Sequence, residues 1–173
     1  MSVISIILES LYYFLPAYIA NMAPVLFQKL PFLNKPVWEK KLGKNKTWRG
    51  IVVAALCGVI VFWLQKIAYN AGFTSLAIID YSDFSVLMGL LLGLGAIVGD
   101  AVKSYYKRKA EIQPGMPWPG FDQLDFVVGG LLFSFLLYVP PVEIIVVLFL
   151  ATPLLHIATN HIGYWLGMRK VKF

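Results

Sequence analysis

Long apolar runs alternate with short, strongly polar segments along this chain. A helix needs about 20 mostly apolar residues to cross a hydrocarbon core of about 30 Å, and five segments approach that length. The predicted spans are 4–27, 50–69, 84–101, 126–139 and 142–165, of which the fourth is short. The pattern therefore predicts an all-α integral membrane protein with five transmembrane helices.

Proline, threonine and glycine add local detail to these spans. Pro16 and Pro24 interrupt the first span, which predicts a kinked or broken helix. Thr47 stands at the N-cap position of the second span. Small residues on the third span would let another helix approach closely. These residues are Gly89, Gly93, Gly95 and Gly99.

The two longest polar segments are predicted to be loops. Segment 29–48 holds two prolines and a glycine within it, which argues against a long helix there. Segment 113–120 reads Gln-Pro-Gly-Met-Pro-Trp-Pro-Gly, which predicts an ordered but non-helical connection. Both segments border predicted spans, so any site built from them would lie at the membrane surface.

The composition agrees with a membrane location. Of the 173 residues, 59% are hydrophobic and only 14% are charged, which is outside the usual range of soluble domains. No basic segment precedes the first apolar run and no small-residue cleavage pattern follows it, so a retained helix is predicted rather than a signal peptide. We expect residues 1–173 to form a single polytopic membrane domain.

Positive charge is concentrated on one side of the predicted bundle. Cytoplasmic loops of membrane proteins carry an excess of Lys and Arg. Fourteen of the 15 basic residues fall in the first loop, after the third span or in the C-terminal tail. Lys66 is the exception, and it shares the other side with Asp80 and Asp83. The predicted orientation places the N-terminus outside, and the C-terminus and two long polar loops in the cytoplasm.

The first candidate site precedes the second span. Lys44, Lys46 and Arg49 surround the hydroxyl of Thr47 at a helix N-terminus, where free N–H groups and the helix dipole favour anions. The segment is therefore suited to binding phosphate. A basic flank that only sets topology and contacts anionic lipid head groups explains the same residues.

The second candidate site lies at the end of the third span. Asp100, Lys103, Ser104 and Lys107 recur at helical spacing and share one face, with Arg108 beside them. A carboxylate near the hydrocarbon boundary is costly and usually functional. The cations suit phosphate oxygens, and Asp100 offers a hard oxygen ligand to Mg²⁺. The alternative is a juxtamembrane basic patch in which Asp100 is paired locally.

The third candidate site is a pair of carboxylates at a predicted helix start. Asp122 and Asp125 are three residues apart, and acidic residues at a helix N-terminus are also ordinary capping devices. Together with Asp100 they place three carboxylates at the cytoplasmic ends of two consecutive spans, opposite the cations of the adjoining segments. This combination is typical of a site for a metal-bound polyphosphate.

Several common catalytic patterns are absent from the sequence. It has no Gly-x-x-x-x-Gly-Lys-[Ser/Thr] loop, no zinc-ligand spacing and no nucleophile with an adjacent base. His156 and His161 are interpreted as structural, while Asn21 either packs in the bundle or lines a polar crevice. A phosphate monoester, largely ionised at neutral pH, needs no protein base to act as a nucleophile. The protein need only bind two anions, align them and neutralise charge.

In combination, these motifs carry a family likeness. The chain resembles the archaeal CDP-archaeol synthase family, distant relatives of the phosphatidate cytidylyltransferases. The matching segments are Lys46-Thr47-Trp48-Arg49-Gly50, Gly99-Asp100-x-x-Lys103-Ser104-x-x-Lys107-Arg108, Pro114-Gly115 and Pro119-x-x-Asp122-Gln123-Leu124-Asp125-Phe126. The larger cytidylyltransferases carry His-Gly-Gly, which this chain lacks, and Arg where this chain has Gln123. Both differences favour the archaeal branch.

The resemblance implies a CTP-dependent cytidylyltransferase. It would make CDP-archaeol and pyrophosphate from CTP and 2,3-bis-(O-geranylgeranyl)-sn-glycerol 1-phosphate, with Mg²⁺ as cofactor. The enzyme would be a multi-pass protein of the cell membrane with its active site on the cytoplasmic side. The implied partners are CTP, an isoprenoid ether glycerol phosphate lipid and the membrane, without nucleic acid, and an oligomer is compatible with the sequence.

The resemblance also implies a role for each matching residue. It assigns the metal to Asp100, Asp122 and Asp125, which together with Lys103 would be catalytic. It assigns nucleotide or lipid phosphate to Lys46, Thr47, Arg49, Lys103, Ser104, Lys107 and Arg108.

Two other functions remain open from the sequence alone. Nothing in it distinguishes an ether link from an ester link, so a cytidylyltransferase acting on ester-linked phosphatidic acid is one alternative. A non-enzymatic membrane scaffold, whose basic loops only bind anionic lipid, is the other.

Overall fold

The computed structural model describes residues 2–113 and 116–165. All regular structure in these residues is helical, apart from an isolated bridge between Pro36 and Thr47. The helices are α1 (Val3–Tyr13), α2 (Leu15–Leu26), α3 (Glu39–Leu42), α4 (Trp48–Asn70), α5 (Leu87–Lys109), α6 (Phe121–Ser134) and α7 (Val142–Trp165). The Pro114-Gly115 motif and the basic tail with Arg169, Lys170 and Lys172 lie outside the described residues.

Helices α1 and α2 make up the first predicted span, and they are broken where proline predicts a break. Phe14 separates them, and Pro16 lies in the first turn of α2, where its missing N–H costs no helical hydrogen bond. The two helix axes differ by 50°. Pro24 lies inside α2, close to its end.

Helix length bears directly on the predicted number of spans. Among the described residues, α4 and α5 are each long and apolar enough to cross a membrane, and the bent α1–α2 pair adds a third candidate. Helix α7 contributes a shorter apolar stretch, Val142–Ala158. The structure is thus an all-helical membrane protein with two or three candidate spans by length and composition.

Helix α6 differs in position from the predicted fourth span. It starts at Phe121, five residues before the predicted span and in agreement with the helix start predicted at the acidic pair, and Gly120 with a positive φ of 83° sets the turn before it. It ends at Ser134 rather than at residue 139, and Val139 itself is kept out of helical backbone by the ring of Pro140. The whole acidic pair therefore lies inside the first two turns of α6.

One side of α5 packs against α4 through small residues. A Cβ atom built on Gly93 would lie 2.9 Å from the carbonyl oxygen of Ala54, and one on Gly58 would overlap the backbone of Gly89. Side chains larger than hydrogen are therefore excluded at these crossing points. The close approach predicted from the glycines of the third span is confirmed here.

The opposite side of α5 packs against α6 in the same way. A Cβ built on Gly95 would lie 2.9 Å from the Cα of Gly130, and one on Gly99 would overlap the carbonyl oxygen of Asp125. This seam holds the last turns of α5 directly beside the first turns of α6. The residue after Gly99 is Asp100, so the seam brings two of the predicted carboxylates together.

The far end of the bundle is filled by aromatic rings. Tyr13, Phe62 and Tyr81 are almost completely buried, and the Phe62 and Tyr81 ring centroids are 5.4 Å apart. Tyr12 and Tyr69 each lie 5.8 Å from Tyr81 by the same measure. Tyr81 belongs to the connection between α4 and α5, so these rings anchor that connection to the helices.

Helices α2 and α7 are joined more loosely than the helices around α5. Within the described residues, no Cα atom of α2 comes within 8 Å of a Cα atom of α7. The hydroxyl groups of Tyr18 and Thr152 are nevertheless 2.6 Å apart and form a hydrogen bond between the two helices. Past this bond, the two helices leave space between them.

Candidate active site

The start of α4 supplies the first cations of the site. Thr47 Oγ1 accepts a hydrogen bond from the Gly50 N–H at 3.2 Å, which confirms the predicted N-cap. The buried Arg49 donates from Nη1 to the Leu30 carbonyl oxygen at 2.7 Å, and so ties the first loop to the helix. The ammonium of Lys46, just before the cap, forms an ion pair with Asp100 of α5.

Three carboxylates converge on the ammonium of Lys103. Its Nζ atom lies 3.0 Å from Asp100 Oδ1, 3.0 Å from Asp122 Oδ1 and 2.6 Å from Asp125 Oδ2. The side chains of Lys103 and Asp125 are only 13% and 6% exposed. The structure thus brings the three predicted acids into one cluster, centred on a cation that also belongs to the prediction.

Asp122 is held by further donors. Lys107 Nζ lies 3.1 Å from both carboxylate oxygens of Asp122 and also donates to the Met116 carbonyl oxygen. The Trp118 N–H donates to Asp122 Oδ2 at 2.6 Å. The connection between α5 and α6 is therefore fastened to both helices by one lysine and one aspartate.

Asp122 and Asp125 lie before the apolar segment that begins at Phe126. Their surroundings shift the pKa values of these two carboxyl groups in opposite directions. Burial opposes ionisation of Asp122, but the Trp118 N–H and the Lys103 ammonium outweigh it and hold the pKa below its usual value. Burial raises the pKa of Asp125 to about 6, because the Lys103 ammonium offsets burial only partly and Asp100 adds repulsion.

A cavity of about 730 Å³ contains most of the predicted site. Its polar end is formed by the cluster just described, and its other end reaches α2 and α7. The predicted site residues that line it are Lys46, Thr47, Arg49, Asp100, Lys103, Lys107, Asp122 and Asp125. This volume falls in the range of small-molecule binding sites.

Two predicted site residues lie elsewhere. Ser104 and Arg108 line a smaller neighbouring cavity of about 130 Å³, together with Lys44. Ser104 Oγ donates to the Asp100 carbonyl oxygen at 2.8 Å, one turn back along α5. The two cavities adjoin along α5 and the end of the first loop, because both are lined by Lys103, Lys107 and residues 44–46.

Several cavity residues were missed or left undecided from the sequence. Asn21 of α2 lines the cavity, so of its two predicted roles the one in a polar crevice is supported. Gln28, just after α2, also lines the cavity. His156 of α7, interpreted from the sequence as structural, also lines the cavity. The available signal was a polar residue inside an apolar span, which is costly and usually functional. Gln123 lines it as well, between the two acidic residues of α6.

The donor chemistry of the cluster suits a hard divalent cation, but its present spacing does not. Carboxylate oxygens are the preferred ligands of Mg²⁺, at about 2.0–2.1 Å. In the part of the chain that the structure describes, no three acidic, histidine or cysteine side chains are arranged to hold a metal ion as they stand. Asp100, Asp122 and Asp125 are instead spaced around an ammonium group. They could hold a divalent cation only after Lys103 moves away.

Comparison with known proteins gives a consistent answer over nearly the whole chain. Residues 3–173 match the family model described as CarS-like: CDP-archaeol synthase. The CDP-archaeol synthase of Methanocaldococcus jannaschii is 36% identical, with 96% of this chain and 97% of that protein covered. The Pyrococcus furiosus protein of the same name is 34% identical, with 95% and 97% covered.

A solved structure shares the fold. It is described as an intramembrane enzyme for archaeal membrane lipids biosynthesis, and it superposes with a TM-score of 0.70 at 32% identity. The superposition covers 89% of this chain and 94% of that one. The helical membrane fold, the charged cavity and these relatives define this protein as a membrane enzyme. The chain belongs to the CDP-archaeol synthase family.

Proposed function

We propose that this enzyme transfers the cytidylyl group of CTP to 2,3-bis-(O-geranylgeranyl)-sn-glycerol 1-phosphate, giving CDP-archaeol and pyrophosphate. The observation that carries the proposal is the convergence of three carboxylates on Lys103 inside a 730 Å³ cavity. Family membership supplies the reaction, and the cavity offers charges suited to two phosphorylated substrates.

The chemistry asks for binding and alignment rather than for a protein base. A phosphate oxygen of the lipid attacks the α-phosphorus of CTP, a new P–O–P link forms, and the bond to the β-phosphate breaks as pyrophosphate leaves. The nucleophile is already ionised near neutral pH. Lys46, Arg49 and Lys107 are placed to hold phosphate oxygens, and these fixed charges stabilise the negative charge that develops during transfer.

The metal in this proposal is Mg²⁺, held by Asp100, Asp122 and Asp125. When bound, it would neutralise charge on the triphosphate and help to orient it. The support is the chemistry of the donors, since all three side chains are carboxylates that already share one cation. Ser104 and Arg108 would act from the smaller cavity, where Arg108 adds a positive charge close to Lys107.

The lipid would enter the cavity from the bilayer, between α2 and α7. Val25 of α2 and Ile157 of α7 line this end of the cavity and are 43% and 39% exposed, which suits contact with lipid chains. Asn21 and His156 on the same helices face the cavity and would meet the polar glycerol phosphate part. The acceptor phosphate would then approach the Lys46 end of the site.

The membrane arrangement completes the proposal. Residues 1–173 would form one polytopic domain of the cell membrane with five spans, the N-terminus outside and the C-terminus in the cytoplasm. The support is the excess of Lys and Arg in the first loop and after α5, which is typical of cytoplasmic segments. This orientation places the cavity on the cytoplasmic side, where CTP is available. No nucleic acid partner is proposed, and the arrangement is compatible with an oligomer.

Pyrophosphate release from CTP tests the proposal directly. The full chain, purified in detergent with Mg²⁺, would be given either the geranylgeranylated ether lipid phosphate or a diacyl phosphatidic acid. We expect turnover with the ether lipid that stops when EDTA removes the metal. Turnover with only the diacyl lipid would overturn the proposed acceptor, and no turnover with either lipid would overturn the reaction itself.

A matched pair of variants assigns the activity to the site. Asp100→Asn removes one proposed metal ligand and is expected to lose turnover. Asp83→Asn makes the same chemical change at an exposed position in the connection between α4 and α5, and is expected to keep it. Equal loss in both variants would count against the carboxylate cluster as the site.

A further inference from the structure

Lys103 is the only described basic side chain that pairs with all three carboxylates of the cluster. Lys46 pairs with Asp100, and Lys107 pairs with Asp122. The three ion pairs of Lys103 are 2.6–3.0 Å long. Its ammonium therefore lies at the point toward which the three acids direct an oxygen atom each.

The second oxygen atom of each carboxylate already has a partner outside this group, so a divalent cation would use the oxygen atoms that face Lys103. Mg²⁺ binds carboxylate oxygens at about 2.0–2.1 Å, which is shorter than any of these ion pairs. The carboxylates would have to close in around the metal, and no space for the ammonium would remain between them. A metal ion and the Lys103 ammonium therefore compete for one position.

Charge in this buried cluster is already balanced. Asp100, Asp122 and Asp125 carry three negative charges in their ionised forms, and Lys46, Lys103 and Lys107 carry three positive ones. Adding a divalent cation alone would leave the cluster with excess positive charge in a poorly solvated place, which is unfavourable. A polyphosphate would restore the balance and would also offer new acceptors to a displaced lysine.

We propose that Lys103 is an exchangeable counter-ion, which leaves the three carboxylates when a divalent cation enters and then pairs with a nucleotide phosphate. This inference rests on the proposed function. Its consequence is that metal and nucleotide bind cooperatively. The metal displaces Lys103 toward the nucleotide phosphate, and the nucleotide phosphate holds Lys103 away from the carboxylates that bind the metal. Such coupling is reciprocal, so CTP strengthens metal binding by the factor by which metal strengthens CTP binding.

The test is metal binding without nucleotide. Mn²⁺ serves as the probe, titrated into the full chain in detergent and followed by electron paramagnetic resonance. Lys103→Met keeps an unbranched side chain, one atom shorter than that of Lys, and removes the ammonium group with its charge. We expect this variant to bind Mn²⁺ alone about tenfold more tightly than the unmodified protein. We also expect CTP, given without acceptor lipid, to strengthen Mn²⁺ binding less in the variant than in the unmodified protein.

A matched control separates exchange from a general effect of charge. Lys107→Met removes the same charge from the same cluster but leaves the shared position to Lys103. We expect it to change Mn²⁺ affinity less than threefold. Unchanged or weaker Mn²⁺ binding in Lys103→Met would overturn the proposal, and so would an equal effect of both variants.

Removing Lys103 leaves carboxylates facing one another, so the variant is also tested for stability. If it can be purified only with Mn²⁺ present, thermal unfolding with and without Mn²⁺ replaces the titration. We expect Mn²⁺ to raise its unfolding temperature more than that of the unmodified protein, and an equal or smaller rise would overturn the exchange.

The proposed function is judged separately, by pyrophosphate release from the unmodified enzyme. Normal turnover of the unmodified enzyme, together with unchanged Mn²⁺ binding in Lys103→Met, would contradict only the proposed exchange of Lys103. Absence of turnover with both lipids would contradict the proposed reaction.

Discussion

The two ends of this helix bundle bury polar groups in opposite ways. At one end, Asp100, Asp122 and Asp125 are each ion-paired with at least one lysine. At the other end, the hydroxyl of Tyr81 is buried among aromatic rings, and no described residue forms a hydrogen bond with it. The first end is thus arranged for charge, whereas the rings around Tyr81 are arranged for packing. Substitutions at the first should therefore change the reaction, and substitutions at the second should change stability.

The strongest test of this comparison is Asp125→Asn. The carboxylate is 6% exposed and pairs with Lys103, so its loss removes a proposed metal ligand while the shape of the side chain is kept. We expect turnover to fall at least about 1,000-fold. Pyrophosphate release measures this, and circular dichroism in detergent checks that the helices are retained. Ordinary turnover in a well-folded Asp125→Asn protein would contradict the metal site.

Phe62→Ala is the counterpart at the aromatic end. Phe62 is completely buried beside Tyr81, and its removal leaves a cavity that the surrounding helices fill only partly. We expect a loss of about 3–5 kcal/mol in the free energy of unfolding, with turnover of the folded protein close to normal. Denaturant unfolding in detergent and initial rates at low temperature measure the two quantities. A loss of turnover greater than the loss of folded protein would break the comparison.

The two glycine seams of α5 sharpen the comparison. Gly58→Ala and Gly99→Ala each place a methyl group against backbone, in the α4 seam and the α6 seam respectively. We expect both to destabilise the protein by about 1–3 kcal/mol. Only Gly99→Ala should also lower turnover about tenfold or more, because it displaces the backbone of Asp125 from α5. Equal rates for the two variants, measured below their unfolding temperatures, would mean that the α6 seam does not position the acids.

The smallest effect is expected for Tyr81→Phe. A buried hydroxyl with no hydrogen-bond partner among the described residues carries a desolvation penalty, so its removal should raise the free energy of unfolding by about 1 kcal/mol and should leave turnover unchanged. Thermal unfolding and pyrophosphate release provide both readings. A clear drop in turnover would show that the aromatic end contributes to the reaction.

Local signals in the sequence predicted much of the fold. Thr47 as an N-cap, the break at Pro16 and the glycine contacts of α5 each depend on a few neighbouring residues, and all three are confirmed. The start of α6 beside the acidic pair was also predicted, and Gly120 precedes it with a positive φ. Apolar length alone, which places the fourth span at residues 126–139, does not give the bounds of this helix.

The residues of the charged cluster could be predicted more fully than their arrangement. Helical spacing relates Lys103 to Asp100, and this pair is present at 3.0 Å. Its pairing with Asp122 and Asp125 depends on how α5 crosses α6, which no spacing within one helix can give. The position of His156 in the cavity wall also depends on tertiary structure, because α7 must lie beside the cavity for the His156 side chain to line it.

The loose junction between α2 and α7 bears on how such an enzyme can diversify. These helices are linked through Tyr18 and Thr152, and their backbones stay apart, while the acids are held by the separate seam between α5 and α6. Mutations that widen or narrow the junction would therefore leave the reacting groups in place. Under the proposed reaction, evolution can tune the accepted hydrocarbon chains at α2 and α7 without rebuilding catalysis. The same two helices are where an engineer would begin to redirect the enzyme toward new membrane lipids.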